Sequence, residues 1–177
     1  MLTIIPKNKP LETMERAADQ GYDADYKEER MGFLLGHKRP RETFEILKAV
    51  PYRGGEKTRS KVKFYPIKFI HRGLQLSREQ GLTWLGRFHT HNEIAGKPCH
   101  GLSPADKESF RLMAREIPSL RVELTVNVYA KEGPWTRPQN RSKTLFVLSE
   151  DGKYRYLVKG YTFPGFGQIP VKAPNLG

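Results

Sequence analysis

The period of the hydrophobic positions changes several times along the chain, and each change marks an element. Leu11, Met14 and Ala18 recur at helical spacing over 10–20, with Gly21 as a stop, and predict a first helix. The run MGFLLGH over 31–37 is short, apolar and bounded by glycines, which reads as a buried strand. A Lys38-Arg39-Pro40-Arg41 turn follows, then a returning strand over 43–50. Further strand candidates cover 64–71 and 82–91. Ser103-Pro104-Ala105-Asp106 is a helix start, with a Ser cap, Pro at the first helical position and an acid at the third. Phe110, Met113, Ala114 and Ile117 continue that helix at i, i+3, i+4 and i+7 until Pro118 ends it.

Over 120–128 the alternation is strict. Leu120, Val122, Leu124, Val126 and Val128 face one way and Arg121, Glu123, Thr125 and Asn127 the other, as in a half-buried strand. A hairpin over 144–148 and 154–158 turns at 150–152. Residues 159–177 are rich in Gly and Pro and read as a C-terminal tail, leaving 1–158 as the domain. The expected class is α/β, a single-domain mixed β-sheet flanked by helices.

Length and composition narrow this picture. With 177 residues the chain suits one domain and is too short for an eight-fold α/β barrel of ordinary length. No run approaches the 18 or so apolar residues that span a bilayer. The opening MLTIIPKNKP lacks the pattern of a secretory signal, and the single cysteine suits a reducing compartment, so the expectation is cytoplasmic.

The net charge of +12 is unevenly placed. Residues 53–72 carry seven basic side chains against the single acid Glu56. Lys57, Arg59, Lys61 and Lys63 alternate, and on one extended strand they would share a face. Such a ladder faces phosphates or an acidic protein, or it guards an edge strand against aggregation.

His89-Thr90-His91 carries the candidate chemistry. On a strand, residues i and i+2 project from one face about 7 Å apart, close enough for two imidazoles to meet one ion. Asp106 lies four residues before Phe110, on the apolar stripe of its helix, and acids are rarely buried unless paired, hydrogen-bonded or ligating. It serves equally well as a helix-capping acid. Two imidazoles and a carboxylate match a catalytic zinc site that keeps one position open. Glu28-Glu29, before the MGFLLG strand, offers a base, although an acid-rich stretch also reads as solvated charge. The spacing after the histidines fits neither the cupin pattern nor the HxHxDH of metallo-β-lactamases, and there is no HExxH.

Together these residues resemble the JAMM (MPN-plus) metalloproteases, whose motif is a glutamate, then H-[ST]-H, then S-x-x-D. Residues 29–36, ERMGFLLG, are similar to the family's E-x-x-G-x-L-x-G strand. His89-Thr90-His91 matches the histidine pair, and Ser103-Pro104-Ala105-Asp106 the last element. The order of elements is similar over 1–158. The chain departs from the family at Asn92, where proline is usual, and in the eleven residues 92–102, where about seven are usual. That longer stretch includes Cys99 and His100 and reads as an insertion loop beside the site.

The resemblance implies a cytidine-deaminase-like, JAMM-type sandwich and a zinc peptidase or isopeptidase of the prokaryotic single-domain type. His89, His91 and Asp106 would hold Zn2+, Glu29 would act as the base, and Ser103 would donate to the oxyanion. The substrate would be a ubiquitin-like or other acidic protein, with Arg59, Lys61 and Lys63 as its contacts. The alternative is a nucleic-acid-associated protein on an MPN scaffold like that of RadC relatives, using the basic segment and lacking peptidase activity.

Overall fold

The computed structural model describes residues 2–24, 27–54, 56–58, 61–63, 66–92, 101–130, 141–149 and 151–172. Among these the hydrophobic pattern resolves into strands β1 (Thr3–Pro6), β2 (Met31–Arg39), β3 (Thr43–Pro51), β4 (Glu56–Thr58), β5 (Lys61–Lys63), β6 (Thr83–Asn92), β7 (Val122–Ala130), β8 (Thr144–Leu148), β9 (Tyr154–Thr162) and β10 (Gly167–Ile169). The α-helices are α1 (Asn8–Tyr22), α2 (Pro66–Gln80) and α3 (Pro104–Glu116).

The main sheet is mixed. Its order is β1-β3-β2-β6-β7-β9-β10, with β8 also on β9, and only β1/β3 and β6/β7 pair in parallel. An isolated bridge between Ile4 and Val171 brings the two ends of the sheet together, so the sheet curls. The curl encloses α1, whose Leu11, Met14, Ala17 and Ala18 pack with Phe44, Ile46, Phe88, Leu124, Val126 and Val158. Helices α2 and α3 cover the opposite face, where Phe69, Phe110 and Met113 meet Phe33, Leu35 and Trp84. Phe69 stacks on Phe33 with ring centroids 4.3 Å apart. The molecule is thus an α/β fold with a mixed sheet between helices, and no helix is long and apolar enough to cross a membrane among the described residues.

Two expectations change. Residues 66–71 are the start of α2, not a strand; Phe64 and Tyr65 lie outside the described residues. The buried positions Phe69, Gly73 and Leu76 fall at i, i+4 and i+7, a stripe that becomes visible only over the full length 66–80. A Cβ at Gly73 would lie 2.6 Å from the Trp84 ring, so glycine lets this helix sit close on β6. The reading of 159–177 as a tail also fails for its first part. β9 runs on to Thr162, β10 folds back against it, and Ile4 N–H donates to Pro170 O at 2.9 Å while Lys172 N–H donates to Ile4 O at 3.0 Å. Glycine and proline here make the reversal between paired strands and not a loose end; residues 173–177 lie outside the described residues.

Candidate metal centre

The polar row of 120–128 is interior, not wet. β7 lies parallel beside β6, and the register sets Glu123 beside Arg87, Thr125 beside His89 and Asn127 beside His91. All six side chains are buried, and Arg87 ties this face of the strand pair to α3. Of the six, His89 and His91 stand near the carboxyl end of β6, whereas Glu123 lies at the start of β7.

Three donors converge there. His89 Nε2 is 2.8 Å from His91 Nε2 and 3.9 Å from Asp106 Oδ2. One ligand atom from each residue lies within 4.8 Å of the others. A tetrahedral ion with bonds of about 2.0–2.2 Å sets its donors roughly 3.3–3.6 Å apart, so the two measured separations bracket that value.

Asp106 reaches this point from the first turn of α3. Ser103 Oγ accepts from Asp106 N–H at 3.1 Å, and Asp106 Oδ2 accepts from Ser103 N–H at 2.8 Å and from its hydroxyl at 2.6 Å. The capping reading of Asp106 holds, and the same carboxylate lies beside His89 as a candidate ligand. Ser103 has a single hydroxyl proton and gives it to Asp106, so any oxyanion role requires it to release that bond.

Two further groups fix the imidazoles. Glu123 Oε1 accepts from His89 Nδ1 at 2.8 Å, which turns Nε2 toward His91 and Asp106. Burial opposes a charge on His89, but the Glu123 hydrogen bond and charge, helped by Asp106, outweigh it and raise its pKa. Burial and then the charge of His89 push His91 down to about 3, so this ring is neutral and its lone pair is available. His91 Nδ1 and Asn127 Oδ1 are buried without a partner of good hydrogen-bond geometry, although Asn127 still acts on the ring and raises its pKa. Burial also works against the ionised form of Asp106, and His89 followed by the Ser103 bonds overcomes it, leaving the pKa low. Two neutralisable imidazoles and one ionised carboxylate, aimed at one buried point, fit a divalent ion such as zinc.

Glu29 lies just before β2, half-buried. Burial lifts its pKa to about 7, with His89 lowering it and Asp106 raising it, so it stands within electrostatic reach of both. Its segment is tied to the histidine strand. Thr90 N–H donates to Arg30 O at 2.7 Å, and Arg30 N–H donates to Thr90 Oγ1 at 2.8 Å. The residue between the two histidines thus pins the residue after Glu29. Asn92 Nδ2 donates to Lys27 O at 2.9 Å, beside a backbone with φ of 47° at Lys27. A proline at position 92 could not make this bond.

The structure therefore brings together Glu29, His89, His91, Ser103 and Asp106. Sequence reasoning missed Arg87, Glu123 and Asn127. Their signal was present in the row Arg87, His89, His91 at i, i+2 and i+4, and in an acid alternating with Thr and Asn on the later strand. The basic ladder is not one row: β4 and β5 form a hairpin with Lys57 opposite Val62, Lys61 opposite Thr58 and Lys63 opposite Glu56. Arg59, Cys99 and His100 lie outside the described residues.

Neither a protein-family model nor a curated protein matches the chain. Among solved structures it is similar to the solution structure of protein DSY2949 from Desulfitobacterium hafniense, with a TM-score of 0.57 and 17% identity over 96% of this chain and 92% of that one. At that identity the likeness concerns the fold alone.

Proposed function

We propose that this chain is a zinc-dependent peptidase or isopeptidase on a JAMM-type, deaminase-like sandwich, cutting at the tail of a ubiquitin-like protein or its conjugate. The observation that carries this reading is the convergence of His89, His91 and Asp106 at one buried point within electrostatic reach of Glu29. His89, His91 and Asp106 would hold the ion, which when bound supplies Lewis acidity toward a carbonyl or a water oxygen. Glu29, with its pKa near 7, is poised to take a proton from the attacking water and return it to the leaving amine. Thr90 and Asn92 keep the Glu29 segment against the histidine strand. The excess of basic residues around β4 and β5 favours an acidic substrate.

The test combines metal analysis with one variant at each role. Protein purified without added zinc is expected to hold about one zinc per chain, and Asp106→Asn to lose it. Glu29→Gln is expected to keep zinc while turnover of a ubiquitin-like fusion falls by about 10²–10⁴-fold. A chain without zinc, or a Glu29→Gln variant with full turnover, overturns the reading. The basic hairpin also motivates the second reading, a nucleic-acid-associated protein; duplex binding that weakens steeply with salt, without peptidase activity, would favour it.

A further inference from the structure

We infer that Arg87 and Glu123 form a buried positioning pair that assembles the metal site from its two separate parts, the histidine strand and the helix that carries Asp106. The inference rests on the metal-binding part of the proposed function and is independent of whether the site cuts peptides.

Arg87 and Glu123 are 3% and 1% exposed. Arg87 Nε donates to Glu123 Oε1 at 2.7 Å and to Oε2 at 2.9 Å. Its other two nitrogens point the opposite way: Nη1 donates to Ser109 Oγ at 2.7 Å and Nη2 to Asp106 O at 2.9 Å. One planar guanidinium therefore grips a strand residue and the first turns of α3 at once, a fork geometry that lysine cannot copy. Glu123, so held, accepts on the same Oε1 from His89 Nδ1 at 2.8 Å. The chain of contacts runs from the backbone of one proposed ligand, Asp106, through Arg87 and Glu123 to the ring of another, His89.

Stability alone does not account for the pair. Burying two charges is costly, and well-packed apolar residues of similar volume often serve a fold as well or better. The neighbouring positions on the same strands show that alternative, with Phe88 and Leu124 buried as ordinary core. An ionised glutamate can only accept, so it selects the His89 tautomer whose Nε2 lone pair faces His91 and Asp106. Arg87 in turn sets how far α3 stands from the strand, and with it whether Asp106 reaches that point.

The experiment measures zinc affinity by chelator competition on the full chain, as wild type, as Glu123→Gln, and as the double variant Arg87→Met with Glu123→Leu. Thermal unfolding of the metal-free proteins and the visible spectrum of their cobalt forms accompany it. The double variant replaces the ion pair by apolar volume, so it is expected to unfold at or above the wild-type temperature. Both variants are expected to bind zinc about 10–100-fold more weakly and to show an altered cobalt spectrum, the mark of a changed coordination geometry. Wild-type affinity and an unchanged cobalt spectrum in either folded variant would overturn the positioning role while leaving the metal site standing. A wild-type chain that binds no zinc would overturn the metal site itself, and the inference with it.

Discussion

Strands β6 and β7 bury both of their faces, but against different partners. Toward α1 stand Phe88, Leu124, Val126 and Val128; toward α3 stand Arg87, His89, His91, Glu123, Thr125 and Asn127. The first face needs only shape, since burying apolar surface is favourable without direction. The second must satisfy every donor and acceptor it withdraws from water, and it comes close. Arg87, Glu123 and His89 are fully engaged with one another and with α3, whereas His91 Nδ1 and Asn127 Oδ1 lack good partners. One side of the strand pair supplies stability, and the other gives up part of it to hold the candidate donors of His89 and His91 close to Asp106.

The largest stability effect is expected on the apolar face. Phe88→Ala removes a fully buried ring and should destabilise the protein by about 3–5 kcal/mol in urea unfolding, with zinc affinity kept under native conditions. Loss of zinc from folded Phe88→Ala protein would show that the two faces are not independent.

A second effect is pH-dependent and belongs to Glu29. Folding raises its pKa from 4.5 to about 7, so the metal-free folded state binds this proton more tightly than the unfolded chain does. Stability is then lost as pH rises from about 4.5 to 7, by up to ~3 kcal/mol. Glu29→Gln removes the titration. In chelator-treated protein it should be more stable than wild type at pH 8, with the difference vanishing near pH 4. A constant difference across that range would contradict the buried environment of Glu29.

The smallest effect is expected from His91→Leu. This change removes a buried ring with an unpartnered nitrogen and should leave the metal-free protein within about 1 kcal/mol of wild type, or slightly more stable. Zinc binding should vanish in the same variant. A large loss of stability would mean that His91 is core and not ligand.

Most elements were legible in the hydrophobic period, because each buries a face of its own. The α3 start at Ser103-Pro104-Ala105-Asp106 is an example in which local capping chemistry sufficed, and its capping box forms as the residue types require. The strand read for 64–71 shows the limit: a short apolar window fits either period, and only packing against Trp84 across the whole of 66–80 selects the helix. The end of the chain shows another, since β10 exists through its pairing with β9 and a bridge to Ile4, contacts far apart in sequence.

The candidate site divides in the same way. His89, His91, Asp106 and Glu29 could be named from residue type and spacing, because a strand brings i and i+2 to one face and a helix start exposes its third residue to whatever lies ahead. Residue type and local spacing thus fixed most of the elements and the types of the candidate donors. That the polar face of 120–128 would also be buried could not be read, since alternation is the same whether that side meets water or a helix. The tertiary structure alone decided that Glu123 meets His89 and that Arg87 joins the strand to Asp106. Those contacts depend on the β6/β7 register and on where α3 docks, and both are set by long-range packing.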